Sequence, residues 1–393
     1  MTSVPSVKTG EAGEGEEATV MTSNRKLHVL GLVATVVGGL SLVVACGSSD
    51  DGAGGSSGSG GGGGSTGCSD CVVPPAAPAD GVPGDGAGTV MAARMWYFGD
   101  TSRSGAADPN AWKKFGYDLD GEKSNQNSSN HCKLVEGAND AVKTDGDGGI
   151  DNSFGPNLLP LLLGIDSQFP TTINDNVTAG SFAMILEIKD IGGGKNYTNL
   201  PGALYFGAEL ASAPAWDGSD VWPLYCDLMS DCKTSGTSQI SGGNKSLVTF
   251  PNSYVADGTW VSSTGTDVTL VLAVGGINIS LDIKKAVITA EMGSGDPPTS
   301  ATNGVIAGIL ETEQVVTTIS QTAGFISSSL CEGDALNELK NSIRQASDIM
   351  KNGTQNSAST CDGISVGLGI DLKAVQLGDV LDATSDAVDP CAG

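Results

Sequence analysis

The chain has 393 residues, with 20 Lys and Arg against 45 Asp and Glu, for a formal net charge of −25. That balance argues against nucleic-acid partners and against electrostatic docking on anionic lipid, and it favours solubility and divalent cations. Aromatic residues are only 5% and charged residues only 17%, while glycine fills 57 positions, which points to a loop-rich, β-leaning exported protein rather than a helical cytosolic enzyme.

Residues 1–20 carry Glu11, Glu14, Glu16 and Glu17 against Lys8 alone. Met21 opens a more conventional start, MTSNRK, so residues 1–20 read as an over-extended leader. Arg25 and Lys26 give a short positive stretch, residues 29–45 are uncharged and apolar, and Val43-Val44-Ala45-Cys46 follows. A signal peptide needs that order of charge, apolar core and small-residue cleavage site. The segment resembles the bacterial lipobox. The resemblance implies that residues 21–45 are removed and that Cys46 becomes an acylated N-terminus. Several acyl chains make such an anchor stable, because each buried CH₂ contributes ~0.8 kcal/mol. The alternative is a membrane-spanning helix, since the run is near the ~18-residue lower bound for spanning. The cysteine at its edge and the polar sequence beyond it favour the lipoprotein. In the Gram-negative sorting pattern that this resembles, an Asp after the cysteine retains the protein at the inner membrane. Gly47 in that place implies an outer-membrane address.

Residues 47–67, GSSDDGAGGSSGSGGGGGSTG, lack any apolar face and read as a flexible tether. The Pro, Ala and Gly that follow extend the expected tether over residues 46–88. With Cys46 reserved for lipid, eight cysteines remain: Cys68, Cys71, Cys132, Cys226, Cys232, Cys331, Cys361 and Cys391. An even number in an oxidising compartment implies disulfides, whose pairing sequence cannot fix. Cys68–Cys71 and Cys226–Cys232 are the short-range candidates, and Cys331 is expected to bridge to Cys361 or Cys391.

The folded part is expected from residue 89, with a β-rich region over 89–295 and a helical segment plus strand over 296–393 packing on the same fold. Strand-like runs occur at 92–98 (AARMWYF), 181–188 (SFAMILEI), 203–206 (ALYF), 246–250 (SLVTF) and 267–274 (DVTLVLAV). Further runs follow at 277–283 (INISLDI), after a Gly275-Gly276 hairpin turn, and at 286–292 (AVITAEM). After the break GSGDPPTS, Val305, Ile309, Val316, Ile319 and Ala323 have helical spacing. A second helix carries Leu336, Leu339, Ile343, Ala346 and Met350 on one stripe, with Asp334 as N-cap and Gly353 as the stop. Ile364, Val366, Leu368, Ile370 and Leu372 alternate strictly and form a closing strand. The expected class is α+β, mainly β: an antiparallel sandwich or barrel with a C-terminal two-helix segment and a closing strand.

The densest acidic cluster contains Asp145, Asp147 and Asp151 within DGDGGIDN. Alternating carboxylates among glycines let a turn gather oxygens around a hard cation such as calcium. The pattern is not an EF-hand, because Ile150 stands where the sharp-turn Gly belongs and Pro156 where the closing Glu belongs. Asp118 and Asp120 in YDLDG are candidate helpers; the alternative is an Asp/Gly-rich surface turn. Beyond the signal only His131 remains, expected exposed in a polar loop, and neither GxSxG nor HExxH occurs. A histidine-based hydrolase therefore has little to work with. Glycosidases need only two carboxylates, so a tethered glycan hydrolase is the alternative function. Trp216 and Trp222 bracket Asp217 and Asp220, an arrangement that suits sugar or peptide recognition; the alternative is a loop whose tryptophans pack beside Cys226.

Signal, Gly/Ser tether and Cys-bearing β-rich domain together resemble the surface lipoproteins of large-genome Gram-negative bacteria such as myxobacteria. The run CDGISVGLGI resembles a segment that recurs in such proteins. The resemblance implies a lipid-anchored envelope protein with a binding or structural role. Its partners would be the membrane, reached through the N-terminal lipid, and an envelope or extracellular ligand.

Overall fold

The computed structural model describes residues 68–230, 245–263, 265–274, 277–326, 330–382 and Cys391. Met21, the signal, Cys46, Gly47, the tether to residue 67, Cys232 and the Gly275-Gly276 turn lie outside these residues.

In chain order the strands are β1 (Val82–Pro83), β2 (Thr89–Tyr97), β3 (Ala183–Ile188), β4 (Tyr197–Gly207), β5 (Val221–Tyr225) and β6 (Thr249–Ala256). They continue with β7 (Thr259–Val261), β8 (Thr266–Val274), β9 (Ile277–Met292), β10 (Ser300–Glu311), β11 (Gly363–Ala374) and β12 (Gln376–Leu381). The helices are α1 (Leu159–Ile165), α2 (Phe169–Ala179), α3 (Thr312–Ile326) and α4 (Asp334–Gln345).

The molecule is mainly β, and eight strands close on themselves. The ring runs β4–β3–β2–β11–β10–β9–β7–β6 and returns from β6 to β4, every pair antiparallel. Of the two architectures expected, it is the barrel. The last long strand, β11, fits between β2 and β10, so the closing strand does return to the main sheet. The remaining strands extend the wall: β1 and β5 on β4, β12 on β5, and β8 on β9.

Alternation explains the wall. In β3, Met184, Leu186 and Ile188 join the central core, while Ala183 and Ile185 face a separate outer cluster with Trp222 and Leu224. Period 2 puts successive side chains on opposite faces, and both faces here are covered. The central core takes Leu204 and Phe206 from β4, Phe250 from β6, Trp260 from β7, Ile288 from β9, Ile306 from β10 and Val366 and Leu368 from β11. Apolar side chains thus fill the barrel. Ile173 and Val177 of α2 join them, and Asn174 grips the backbone of Trp96: its Oδ1 accepts from the Trp96 N–H at 2.8 Å, and its Nδ2 donates to the Trp96 carbonyl at 3.0 Å. That amide serves a stretch of β2 that β3, paired only with residues 89–92, does not reach.

Several expectations need correction. Val305 and Ile309 lie in strand β10, and the helix begins only at Thr312. From Val305 to Leu310 this strand is buried on both faces, and a continuous apolar run has no strand period to read. Residues 277–283 and 286–292 are one strand, β9, with an extra residue near Lys284 and Lys285. Asp334 is the first residue of α4 after the cap Gly333, and the helix stops at Gln345 rather than at Gly353. Helices α1 and α2 have no counterpart among the expected elements.

Residues 68–88, expected to continue the tether, lie along the barrel instead. Cys68 bonds to Cys71, the Val72 N–H donates to Gly148 O at 2.9 Å, Tyr254 Oη donates to Pro75 O at 2.6 Å, and β1 pairs with Tyr197 and Thr198. Composition alone hides this, because all of these partners except Cys71 lie far away in sequence.

Candidate metal centre

Residues 111–153 fold onto the outer wall of the barrel. Tyr117 and Leu119 pack over Val261, Val287, Val305 and Ala307. The Tyr117 hydroxyl shares a hydrogen bond of 2.8 Å with Thr289 Oγ1. Three consecutive buried polar residues, Asp151, Asn152 and Ser153, fix the end of this segment. Asn152 exchanges hydrogen bonds with Gly367, donating from Nδ2 to its carbonyl and accepting its N–H at Oδ1, both at 3.0 Å. Ser153 N–H donates to Ser365 Oγ at 2.8 Å, and Ser153 Oγ donates to Ala346 O at 2.6 Å. Glycine at 367 allows this close approach, since a Cβ there would meet Phe115 O at 2.1 Å.

The result is a group of carboxylates drawn from three stretches of chain. One oxygen from each of Asp118, Asp120 and Asp151 lies within 4.8 Å of the others. Asp145 and Asp348 stand close enough to act electrostatically on Asp151. Asp151 is only 2% exposed. Its Oδ2 accepts from the Leu119 N–H at 2.7 Å, while its Oδ1 accepts no hydrogen bond among the described residues. Asp118 Oδ1 accepts from the Gly121 N–H at 2.6 Å, and Asp145 Oδ2 accepts from the Ser124 N–H. Asp348 accepts from both the N–H and the hydroxyl of Ser365. Gln355 ties the parts together: its Nε2 donates to Asp120 Oδ2 at 2.7 Å and to Asp348 O at 3.1 Å, and its Oε1 accepts from the Cys132 N–H at 2.8 Å. Among the described residues no lysine or arginine forms an ion pair with any of these five aspartates.

Burial and crowding disfavour ionisation. Burial, reinforced by Asp120, raises Asp118 to about 6. Burial raises Asp145 to about 8 against the opposing Ser124 N–H, with Asp120, Asp348 and Asp118 adding to the rise. Burial also raises Asp348 to about 7, and it raises Asp151 well above the ordinary carboxylate range, helped by Asp120, Asp145 and Asp348. Without a cation, the folded protein therefore holds protons that the unfolded chain releases at about pH 4. Below that pH both states are protonated and the groups contribute nothing. As pH rises from about 4 towards 8 the folded state must give up those protons, and stability falls. Calorimetric melting in chelator should give a higher Tm at pH 5 than at pH 8; a flat or rising profile would contradict the geometry.

The residues singled out in the sequence separate here. Asp151 lies in the cluster and Asp145 at its edge, whereas Asp147 is exposed on the turn and takes no part in it. Asp348 and Gln355 were not foreseen, because more than a hundred residues separate them from the DGDGGID run. Trp222 is fully buried, its Nε1 donating to Ala208 O at 2.6 Å, and Trp216 is half-buried against it at 5.6 Å between ring centroids. Trp222 thus offers no face to a ligand. Asp220 is occupied in accepting the Ala215 and Trp216 N–H groups, at 2.8 and 2.7 Å. His131 is buried rather than exposed, its Nδ1 2.8 Å from Cys132 O, and burial lowers its pKa.

Three disulfides occur among the described residues: Cys68–Cys71, Cys132–Cys361 and Cys331–Cys391. The first is the expected local pair, and Cys391 is one of the two partners expected for Cys331. Cys361 joins Cys132 instead. The Cys226–Cys232 pairing involves a residue outside those described.

No family model, no curated protein and no solved structure matches this chain.

Proposed function

We propose that this chain is a lipid-anchored protein of the cell envelope, held at the outer membrane through Cys46. Its barrel has a binding or structural role outside the cytoplasm, centred on a calcium ion at Asp118, Asp120 and Asp151. The observation that carries the cation reading is the Asp151 carboxylate. Among the described residues it is almost wholly buried, has one oxygen that accepts no hydrogen bond yet keeps some contact with solvent, lies beside two further carboxylates and has no basic partner. A buried carboxylate with neither a partner nor a metal keeps its proton, and a coordinated cation is what would let this one ionise in place. A hard cation with oxygen ligands at 2.3–2.6 Å suits carboxylates at this spacing. Such a site resembles extracellular calcium modules in needing only about 10⁻⁴–10⁻³ M affinity where calcium is plentiful.

Disulfides support the compartment, since they persist in oxidising surroundings outside the cytoplasm. The lipobox-like run before Cys46 supports the anchor. Feeding cells a radioactive fatty acid should label the wild-type protein and leave Cys46→Ala unlabelled; equal labelling of the two would remove the anchor from the account. Isothermal titration of the folded part tests the cation. Calcium should give saturable heat and raise Tm, and silence at millimolar calcium would discard the site.

A further inference from the structure

The acidic cluster borders a cleft of about 310 Å³. Val287 and Ile309, both buried, form an apolar floor, and Tyr117 and Leu119 form one side. Two charged groups face this space: Asp118, from the cluster, and Lys285. Lys285 owes its place to the irregularity in β9. Val268 and Thr266 of β8 pair with Ile283 and Ala286 of β9, so β9 carries one residue more than its neighbour. Lys285 takes φ 49°, a left-handed conformation uncommon for lysine. Bulges re-aim a side chain and are frequent beside binding sites. The neighbouring Lys284 pairs with Asp267 at 3.0 Å, whereas the Lys285 ammonium pairs with no carboxylate among the described residues. Gly353 lies against its side chain: a Cβ at that position would come within 3.3 Å of Lys285 Cδ and 3.2 Å of Ile309 Cδ1.

An empty cluster makes the Asp118 wall negative and repels anions. A bound divalent cation cancels most of the charge of its three ligands and offers a carboxylate an electrophilic partner across from the Lys285 ammonium, above an apolar floor. We propose that the cleft binds a small carboxylate with an apolar body. Its carboxylate would bridge the Lys285 ammonium and the open side of the cation at Asp118, and its body would lie over Val287, Ile309 and Leu119. The proposal rests on the cation reading for one of its two anchors. It makes cation and carboxylate mutually dependent, because coupling between two ligands is reciprocal.

Hexanoate serves as the probe, with hexylamine as its opposite-charge control, in titrations of the full exported chain. Hexanoate should bind in saturating calcium and at least about tenfold more weakly in chelator, and it should tighten calcium binding by the same factor. Lys285→Gln should weaken hexanoate at least about tenfold without weakening calcium, since it removes a like charge from beside the cation. Hexylamine should bind more weakly than hexanoate, and this comparison needs no variant, so it stands even if the substitution disturbs folding. Hexanoate binding that ignores chelator or Lys285→Gln, or hexylamine binding of equal strength, overturns the proposal. Absence of hexanoate binding in a protein that demonstrably binds calcium overturns it and spares the cation site. Absence of calcium binding overturns both.

Discussion

Asp151→Asn should reverse the order of stability between calcium and chelator. The amide keeps the shape of the side chain and still accepts the Leu119 N–H, but it carries no charge. In chelator near pH 8 the variant should melt no lower than wild type, because it lacks a buried carboxylate surrounded by others of its sign. In calcium the wild type should overtake it. A ligand at about 100 times its Kd adds ~2.7 kcal/mol, which corresponds to roughly 4 °C in Tm for a domain of this size. The variant, deprived of the most buried ligand, should gain little. Equal stabilisation of both proteins by calcium would place the ion elsewhere.

The second large effect concerns the Cys132–Cys361 bridge. It joins residues 229 apart and clasps the two chain stretches that supply Asp120 and Asp348. Replacing both cysteines by serine should cost about 2–5 kcal/mol in denaturant unfolding, the range for removing a native disulfide. Cys68–Cys71 spans only three positions, and its double-serine variant should cost much less, since closing a short loop removes less entropy from the unfolded chain. The long-range variant should also weaken calcium, because the Cys132 N–H holds Gln355 in place and Gln355 holds Asp120. Equal stability losses from the two pairs would show that loop length is not what makes the bridge matter here.

The sequence reveals those parts of the fold whose two faces differ or whose period is unbroken. Ile364 to Leu372 give β11 away through an unbroken period, while β3 reads as a strand although both its faces are covered. The same logic fails for β10, where burial on both sides erases alternation, and for α2, whose Phe-Pro-Thr-Thr start carries little helical signal beyond proline in the first turn. In the acidic cluster, Asp145, Asp151, Asp118 and Asp120 are legible because they lie in short Asp/Gly-rich runs. Asp348 and Gln355 are not, because barrel closure, which no local pattern encodes, brings them there. The two tryptophans stay open in the sequence, because large aromatic rings with polar neighbours look the same whether they cover a core or greet a sugar; the structure packs both into the cluster that holds Cys226.

Placing β11 between β2 and β10 also sets the timing of folding. The first long strand and the last long strand of the chain are neighbours, so the ring cannot seal until residues 363–374 have emerged. Any shorter nascent chain has two bare edges and must be kept from pairing with other chains. Such high contact order makes for slow folding. The strands therefore stay separable, and the ring open, until residues 363–374 slot between β2 and β10.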